Sequence, residues 1–286
     1  MRPETFNVQR PTSNIELGTG GSGSWTLDVG RWTLDVGRFP FMESTSVTLL
    51  LIGIALVAFL YSSVGHAGAS GYIAVMSLCG LAATFIRPTA LVLNILVACI
   101  GGYQFWRAGH FSWALFWPFA LLSVPCAFLG GYVHVASPIL KPILGVVLLF
   151  SAARLFFRQG DPPDIQGPSR PVAVGVGAGI GFLSGLTGTG GGIFLTPLLL
   201  FRRWTYTRRA AATSVFFILV NSIAGLGGFV SSGQPIPTFA WVLAPAAAVA
   251  GAVGSHLGSR RLPVRAISLL LATVLVIAGC KLIFTR

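Results

Sequence analysis

The residues with the most chemical potential in this chain form a glycine run, Gly185 to Ile193, reading Gly-Leu-Thr-Gly-Thr-Gly-Gly-Gly-Ile. The run lies inside an apolar stretch, Pro171 to Phe201, and nine of the eighteen residues from Gly175 to Gly192 are glycine. Each glycine costs a helix about 1 kcal/mol relative to alanine, so the spacing predicts a break. At membrane depth, unwound backbone persists only when buried in protein or lining a watery cavity. A half-helix that begins after such a break presents free N–H groups and the positive end of its dipole, which together favour an anion. Each helix end contributes roughly 0.3–1 kcal/mol, or ~2 when partly buried.

A second, weaker break precedes it in the chain, Ser62-Ser63-Val64-Gly65-His66-Ala67-Gly68-Ala69-Ser70-Gly71. The candidate substrate-binding residues are therefore Ser63, His66, Ser70 and Gly71 in the first break and Thr187, Thr189, Gly190, Gly191 and Gly192 in the second. Asn94, Thr213 and Ser214 lie one to two turns into the helices that follow the breaks and could hydrogen-bond a substrate. His66 could bind an oxyanion or carry a proton that couples transport to pH. A second explanation stands beside each of these. Glycines and small polar residues also line close contacts between membrane helices, and a lone histidine also serves as a structural donor. Asn221, Ser222 and Gln104 rank below these candidates, and Arg87, Arg208 and Arg209 are read as charges of loops at the helix mouths.

The elements that must position these residues are membrane helices. Of 286 residues, 54% are hydrophobic and 9% are charged, too little charge to cover a water-soluble domain. Several apolar stretches of about 18 to 21 residues carry no acid. The formal net charge of +12 does not point to nucleic acid, because the arginines sit in short loops between apolar runs. From Ser44 onward the only carboxylate side chains are Asp161 and Asp164, both in one Pro-rich loop. Cation-coupled carriers keep carboxylates within the membrane, so their absence leaves room for an anionic substrate. Cys79, Cys99, Cys126 and Cys280 are isolated in apolar stretches and read as small buried residues. Trp106, Trp113, Trp117, Trp204 and Trp241 fall at span ends, where tryptophan anchors helices at the membrane interface.

The chain divides into a tail, 1–43, and a membrane domain, 44–286. The tail is polar and carries a tandem heptad, Trp25–Arg31 and Trp32–Arg38, each Trp-Thr-Leu-Asp-Val-Gly-Arg. It is expected to have no fixed structure, either as a disordered tail or as an over-called start ahead of Met42. The membrane domain reads as repeat one, 44–158, a linker, 159–170, and repeat two, 171–286. In each repeat a helix, a break and a second helix precede three spans. Ser63 falls on Ser184, Gly71 on Gly192 and Arg87 on Arg208, all at a shift of 121. The expected fold is an all-α polytopic membrane protein of roughly eight to ten membrane segments in two pseudo-repeats with broken helices. If each break is a hairpin that returns to its own side, eleven basic residues gather at one face and four at the other. The richer face, with Arg107, Arg170, Arg202, Arg203, Arg208, Arg209, Arg260 and Arg261 among its members, is then cytoplasmic.

No His/Cys/Asp/Glu cluster has metal-ligand spacing, no acid is available to orient a nucleophile in the membrane, and no phosphate-binding loop motif occurs. The chain is therefore expected to be no enzyme and to need no cofactor. Its expected partners are a small anion and the lipid bilayer, with a homo-oligomer left open.

The run Gly181-Phe-Leu-Ser-Gly-Leu-Thr-Gly-Thr-Gly-Gly-Gly-Ile-Phe-Leu-Thr-Pro-Leu, followed by Arg209-Ala-Ala-Ala-Thr-Ser214, resembles the TauE/SafE family of membrane transporters. The resemblance extends to the weaker copy near Ser63–Tyr72 and covers about residues 44–286. The first copy departs from the family's Gly-rich form, with His66 where plain glycine backbone is typical. The resemblance implies a multi-pass protein of the bacterial inner membrane that moves sulfite, organosulfonate or related sulfur-containing or organic anions. A passive anion channel and an assembly protein without substrate are the alternatives.

Overall fold

The computed structural model describes residues 26–29, 32–35, 44–79, 81, 83–133, 149, 152–153, 156, 161, 164–263 and ten positions between 265 and 280. The chain divides into an N-terminal unit, Met1–Thr45, and a helical unit, Ser46–Arg286.

In the first unit, β1 (Thr26–Val29) pairs antiparallel with β2 (Trp32–Asp35), with Leu27 opposite Leu34 and Val29 opposite Trp32. Each heptad copy supplies Trp, Thr, Leu and Val, residue types that favour extended backbone, and two copies in tandem give a strand its own partner.

The described helices are α1 (Ser44–Ser63), α2 (Ala69–Leu78), α3 (Ala83–Arg107), α4 (Trp113–Tyr132), α5 (Arg170–Thr187), α6 (Gly192–Phe201), α7 (Thr207–Ser231) and α8 (Phe239–Arg260). Four of them, in α3, α4, α7 and α8, are long and apolar enough to cross a membrane. The expected spans from residue 138 to 157 and from 264 to 284 lie outside the described residues apart from scattered positions.

Two boundaries differ from the sequence expectation. The first break is narrower, 64–68, because α1 runs on through Ser62 and Ser63 and α2 already begins at Ala69. In addition, Arg87-Pro88 does not separate two helices but lies inside α3. A proline there forgoes one backbone bond; Arg87, tied by its side chain to neighbouring helices, holds the same turn in place.

Helix directions follow from the contacts. In the first half, Gly53 packs on Val75 and Gly71 on Val57, so α2 folds back antiparallel along α1. In the second half, α6 runs antiparallel to α7, with Gly192 beside Ile218 and Thr196 bonded to Ser214. By contrast α5 runs with α4, as Gly177, Gly181 and Gly185 meet Phe119, Ser123 and Ala127 in turn. α4 runs with α7, where Ser123 bonds Asn221 and Gly228 packs on Phe128. It follows that α5 and α6 point in opposite directions and form a hairpin. α1 likewise runs with α8, through Phe59–Gly254 and Ser63–Gly258, and α8 runs with α3, through Val97–Gly251 and Gly101–Ser255. Finally α3 crosses α7 antiparallel, with Leu91 near Gly225, Asn94 near Ser222 and Gly101 near Val215. The two hairpins therefore enter from opposite ends of the α3–α7 pair.

Glycine makes this packing close. A methyl group at Gly177, Gly181 or Gly185 would overlap the α4 backbone carbonyls of Phe119, Ser123 and Ala127. Small residues every fourth position let two backbones approach, which supplies the dispersion contacts that hold helices together in lipid. Beside this seam an apolar cluster of Phe119, Leu195, Leu199, Trp204 and Phe217 fills the space between α4, α6 and α7.

The linker is fastened as well. Asp161 accepts hydrogen bonds from Thr207 N (2.8 Å) and Oγ1 (2.6 Å), placing a carboxylate on the N-terminus of α7, where the helix dipole favours negative charge.

Candidate functional site

The two hairpin tips touch. His66 of the first tip is 2% exposed, and its Nε2–H donates to the Gly192 carbonyl at the start of α6, at 3.0 Å. Gly65 of the same tip lies against Ala211 of α7.

The second tip is built by glycine conformation. α5 ends on Gly188, whose φ of 75° is left-handed and whose N–H donates to Ser184 O at 2.8 Å, a C-cap that glycine adopts without strain. Gly190 and Gly191 follow at φ 75° and 80°. α6 then starts at Gly192, and the Gly191 carbonyl accepts from Phe194 and Leu195 N–H. The N–H groups of Gly190, Gly191 and Gly192 have no acceptor among the described residues.

Side chains from three helices enclose this tip. From α3, Asn94 donates through Nδ2 to Ser222 Oγ of α7 at 3.3 Å, and both atoms border Gly190. From α5, Ser184 borders Gly191. Asn94, Ser184, Ser222 and Thr213 are fully buried, and Asn94 Oδ1, Ser184 Oγ and Thr213 Oγ1 have no hydrogen-bond partner among the described residues. Buried polar atoms are nearly always paired, so unmet ones beside a break mark a place where another group can bind.

The candidates named from sequence thus separate into two sets. His66, Asn94, Gly190, Gly191 and Gly192 come together where the tips meet, and Ser214 borders Gly192 through its carbonyl while its hydroxyl accepts from Thr196 at 2.6 Å. Thr213 lies one residue away on α7. The others are engaged elsewhere. Ser63 donates to Leu60 O at 2.7 Å and packs on Gly258. Ser70 bonds Tyr61, and Gly71 packs on Val57 in the α1–α2 seam. Thr187 bonds Leu183 O and Thr189 beside the tip.

Sequence reasoning missed or underrated several residues. Gly65 and Gly188, and Gly68 and Gly191, are each 123 positions apart and share left-handed φ, so like-placed tip residues differ by 123, not 121. At 121 Ser184 was set against Ser63, whereas it stands beside Gly191. The long helices begin 124 apart, at Ala83 and Thr207, which sets Thr89 against Thr213. Both threonines are fully buried, and their Oγ1 atoms have no partner among the described residues. Arg87, read as a loop charge, instead reaches into the protein. Its Nη2 donates to Gly130 O (2.9 Å), Gly131 O (3.0 Å) and Gly185 O (2.5 Å), its Cγ borders Gly188, and its guanidinium lies 5.6 Å from the Phe229 ring centroid.

The family described as "Sulfite exporter TauE/SafE" matches residues 49–282. The chain belongs to the TauE/SafE sulfite exporter family. It is 41% identical over 243 residues to "Probable membrane transporter protein y4hK" of Sinorhizobium fredii, covering 82% of this chain and 97% of that protein. It is 25% identical over 258 residues to "Probable membrane transporter protein YjnA" of Bacillus subtilis, covering 83% of this chain and all of that protein. A second Bacillus subtilis protein, "Probable membrane transporter protein YunE", is 29% identical over 149 residues, about half of each chain. No solved structure matches. As a TauE/SafE member with several apolar helices, the protein is a multi-pass membrane transporter.

Proposed function

We propose that this transporter is a secondary carrier of small anions, sulfite, organosulfonate or related sulfur-containing or organic anions, in the bacterial inner membrane. Its site lies where the two hairpin tips meet. The observation that carries this reading is the His66–Gly192 contact, which joins the tips at the N-terminus of α6 beside the unpartnered N–H groups of Gly190 to Gly192. Backbone N–H groups and a helix N-terminus favour an anion without a buried carboxylate or metal.

Depth supports the same reading. Asn94 stands near the middle of α3 and Ser222 near the middle of α7, and their bond lies where these two antiparallel helices cross. Two inverted repeats, each a hairpin followed by a long helix, account for this arrangement and for a substrate site at the repeat interface. Inversion also gathers Arg107, Arg208, Arg209 and Arg260 at one end of the bundle, since His110 after α3 bonds Ser259 at the end of α8 and feels Arg208 and Arg209. Short loops rich in arginine at one end orient that end to the cytoplasm.

The test is uptake by proteoliposomes of sulfite, methanesulfonate and acetate. Saturable flux that accelerates when the same anion is loaded on the opposite side is the expected result. Linear, unsaturated flux would replace the carrier with a channel, and no flux of any of the three would end the anion reading.

A further inference from the structure

The second tip holds two opposed helix ends within a few residues. α5 ends at Thr187 and presents the negative end of its dipole, while α6 begins at Gly192 and presents the positive end. α4 ends close by, since Gly131 packs on Gly225 and α4 lies along α5 to Gly185. Two helix C-termini carry together a charge of about −1, which would oppose an anion at the tip. The structure shows what offsets it. Arg87 Nη2 gathers carbonyls of both ends, Gly130 and Gly131 of α4 and Gly185 of α5, and the arginine stem passes against Gly188.

We propose that Arg87 sets the charge preference of the second tip: by neutralising the C-terminal ends of α4 and α5, it leaves the N-terminus of α6 as the dominant charge there. This rests on the anion-site reading above. A second observation points to a ligand at that N-terminus independently of Arg87: Ser184, whose Cβ borders Gly191, and Asn94, whose Nδ2 borders Gly190, are fully buried, and Ser184 Oγ and Asn94 Oδ1 have no hydrogen-bond partner among the described residues. Arg87 acts here through the helix ends, so it is a positioning residue for charge. Among the described residues its Nε is buried without a partner, and the three bonds to these carbonyls all come from Nη2.

The first tip needs no such cation. Its preceding helix, α1, closes its own carbonyls: Tyr61 O accepts from Val64 and His66 N–H, Ser62 O from Gly65 N–H, and Leu60 O from Ser63 Oγ. The residue 124 positions after Arg87 is Ala211, which packs on Gly65.

The experiment compares wild type, Arg87→Gln and Arg87→Lys in proteoliposomes at constant ionic strength, with sulfite as probe, or methanesulfonate if wild type carries that anion instead. Arg87→Gln should raise KM by about tenfold or more while the maximal rate changes by less than about threefold, since the exposed helix ends now repel the anion. Arg87→Lys keeps the charge but cannot span three carbonyls; it should lose thermal stability yet hold KM within about threefold of wild type. A wild-type KM in Arg87→Gln, with lowered Tm, would overturn the proposal and leave Arg87 a structural clamp. If the glutamine variant does not fold, the lysine variant decides, because a KM that rises in step with lost stability overturns the charge role. Absence of saturable flux in wild type is a separate outcome, which removes the anion site itself.

Discussion

The two hairpin tips share a plan and differ in what completes it. Each leads into a half-helix of ten residues, and each turns through left-handed glycines set 123 positions apart in the two halves. The first tip is finished from within: its helix-end carbonyls are met by its own backbone, Tyr61 bonds Ser70, and the His66 ring stands edge-on to Tyr61 at 6.5 Å. The second is finished from outside, by Arg87 and Asn94 of α3 and by the α7 face of Ser214, Phe217, Ile218 and Ser222. A tip closed by its own bonds is a rigid part that presents one side chain, His66. A tip with open N–H groups and borrowed walls can accept a ligand in place of a missing partner. The proposed substrate chemistry is therefore assigned to the second tip, and the first bears on it through a hydrogen bond from His66.

The largest effect should come from filling the second tip. At Gly191 a side chain meets a left-handed φ of 80° and a wall, with Phe217 Cε1 at 2.9 Å, Ile180 Cγ2 at 3.0 Å and Ser184 Cβ at 3.2 Å from an added Cβ. Valine, branched at that carbon, is strained by both. Gly191→Val should abolish uptake while membrane fractionation still finds the protein inserted. Gly179→Ala is its counterpart on α5, where an added methyl meets nothing within 4 Å. That change should leave uptake intact and gain about 0.5–1 kcal/mol in helix stability, visible as a higher Tm. Full uptake by Gly191→Val would remove the second tip from the transport path.

A smaller effect is expected at the first tip. His66→Ala removes the only side-chain bond described between the tips and leaves the backbone bonds of Val64, Gly65 and His66 in place. Uptake should persist at a reduced rate, with a changed dependence on pH. If rate and pH profile both stay at wild type, the contact with Gly192 is packing alone and the two tips are functionally separate.

These contrasts bear on what could be read in the sequence. The break at Gly188 to Gly191 was legible because three consecutive glycines at the end of an apolar segment leave a helix no other course. The glycines of that stretch divide between two tasks, since Gly177, Gly181 and Gly185 serve the α4 seam. Composition does not distinguish a glycine kept for φ from one kept for contact; only the neighbour does. Arg87 was illegible for a related reason. An arginine beside a proline between apolar runs looks like a loop charge, and its true partners are carbonyls 43, 44 and 98 positions away. Thr89 was hidden by register, because matching identical residues favoured 121 over the backbone spacing.

The smallest effect separates His66 from a second histidine, His110, that could colour a pH profile. His110 follows α3 at the arginine-rich end, and its Nε2–H donates to Ser259 O at 3.0 Å. Partial burial holds its pKa below the ordinary histidine value; the bond to Ser259 opposes this, and Arg208 and Arg209 add to the lowering. The unfolded chain therefore binds a proton more readily than the folded one, so stability is full above about pH 6.5 and declines as pH falls from there toward the folded value. The group is partly exposed to solvent, so the decline should be a small fall in Tm between pH 7.5 and 5.5. His110→Gln keeps an N–H donor for Ser259 without a titrating group and should flatten that slope, leaving the pH profile of uptake as it was. A slope unchanged in His110→Gln assigns it to another group, and an uptake profile flattened by the same change would move pH sensing from the first tip to the arginine-rich end.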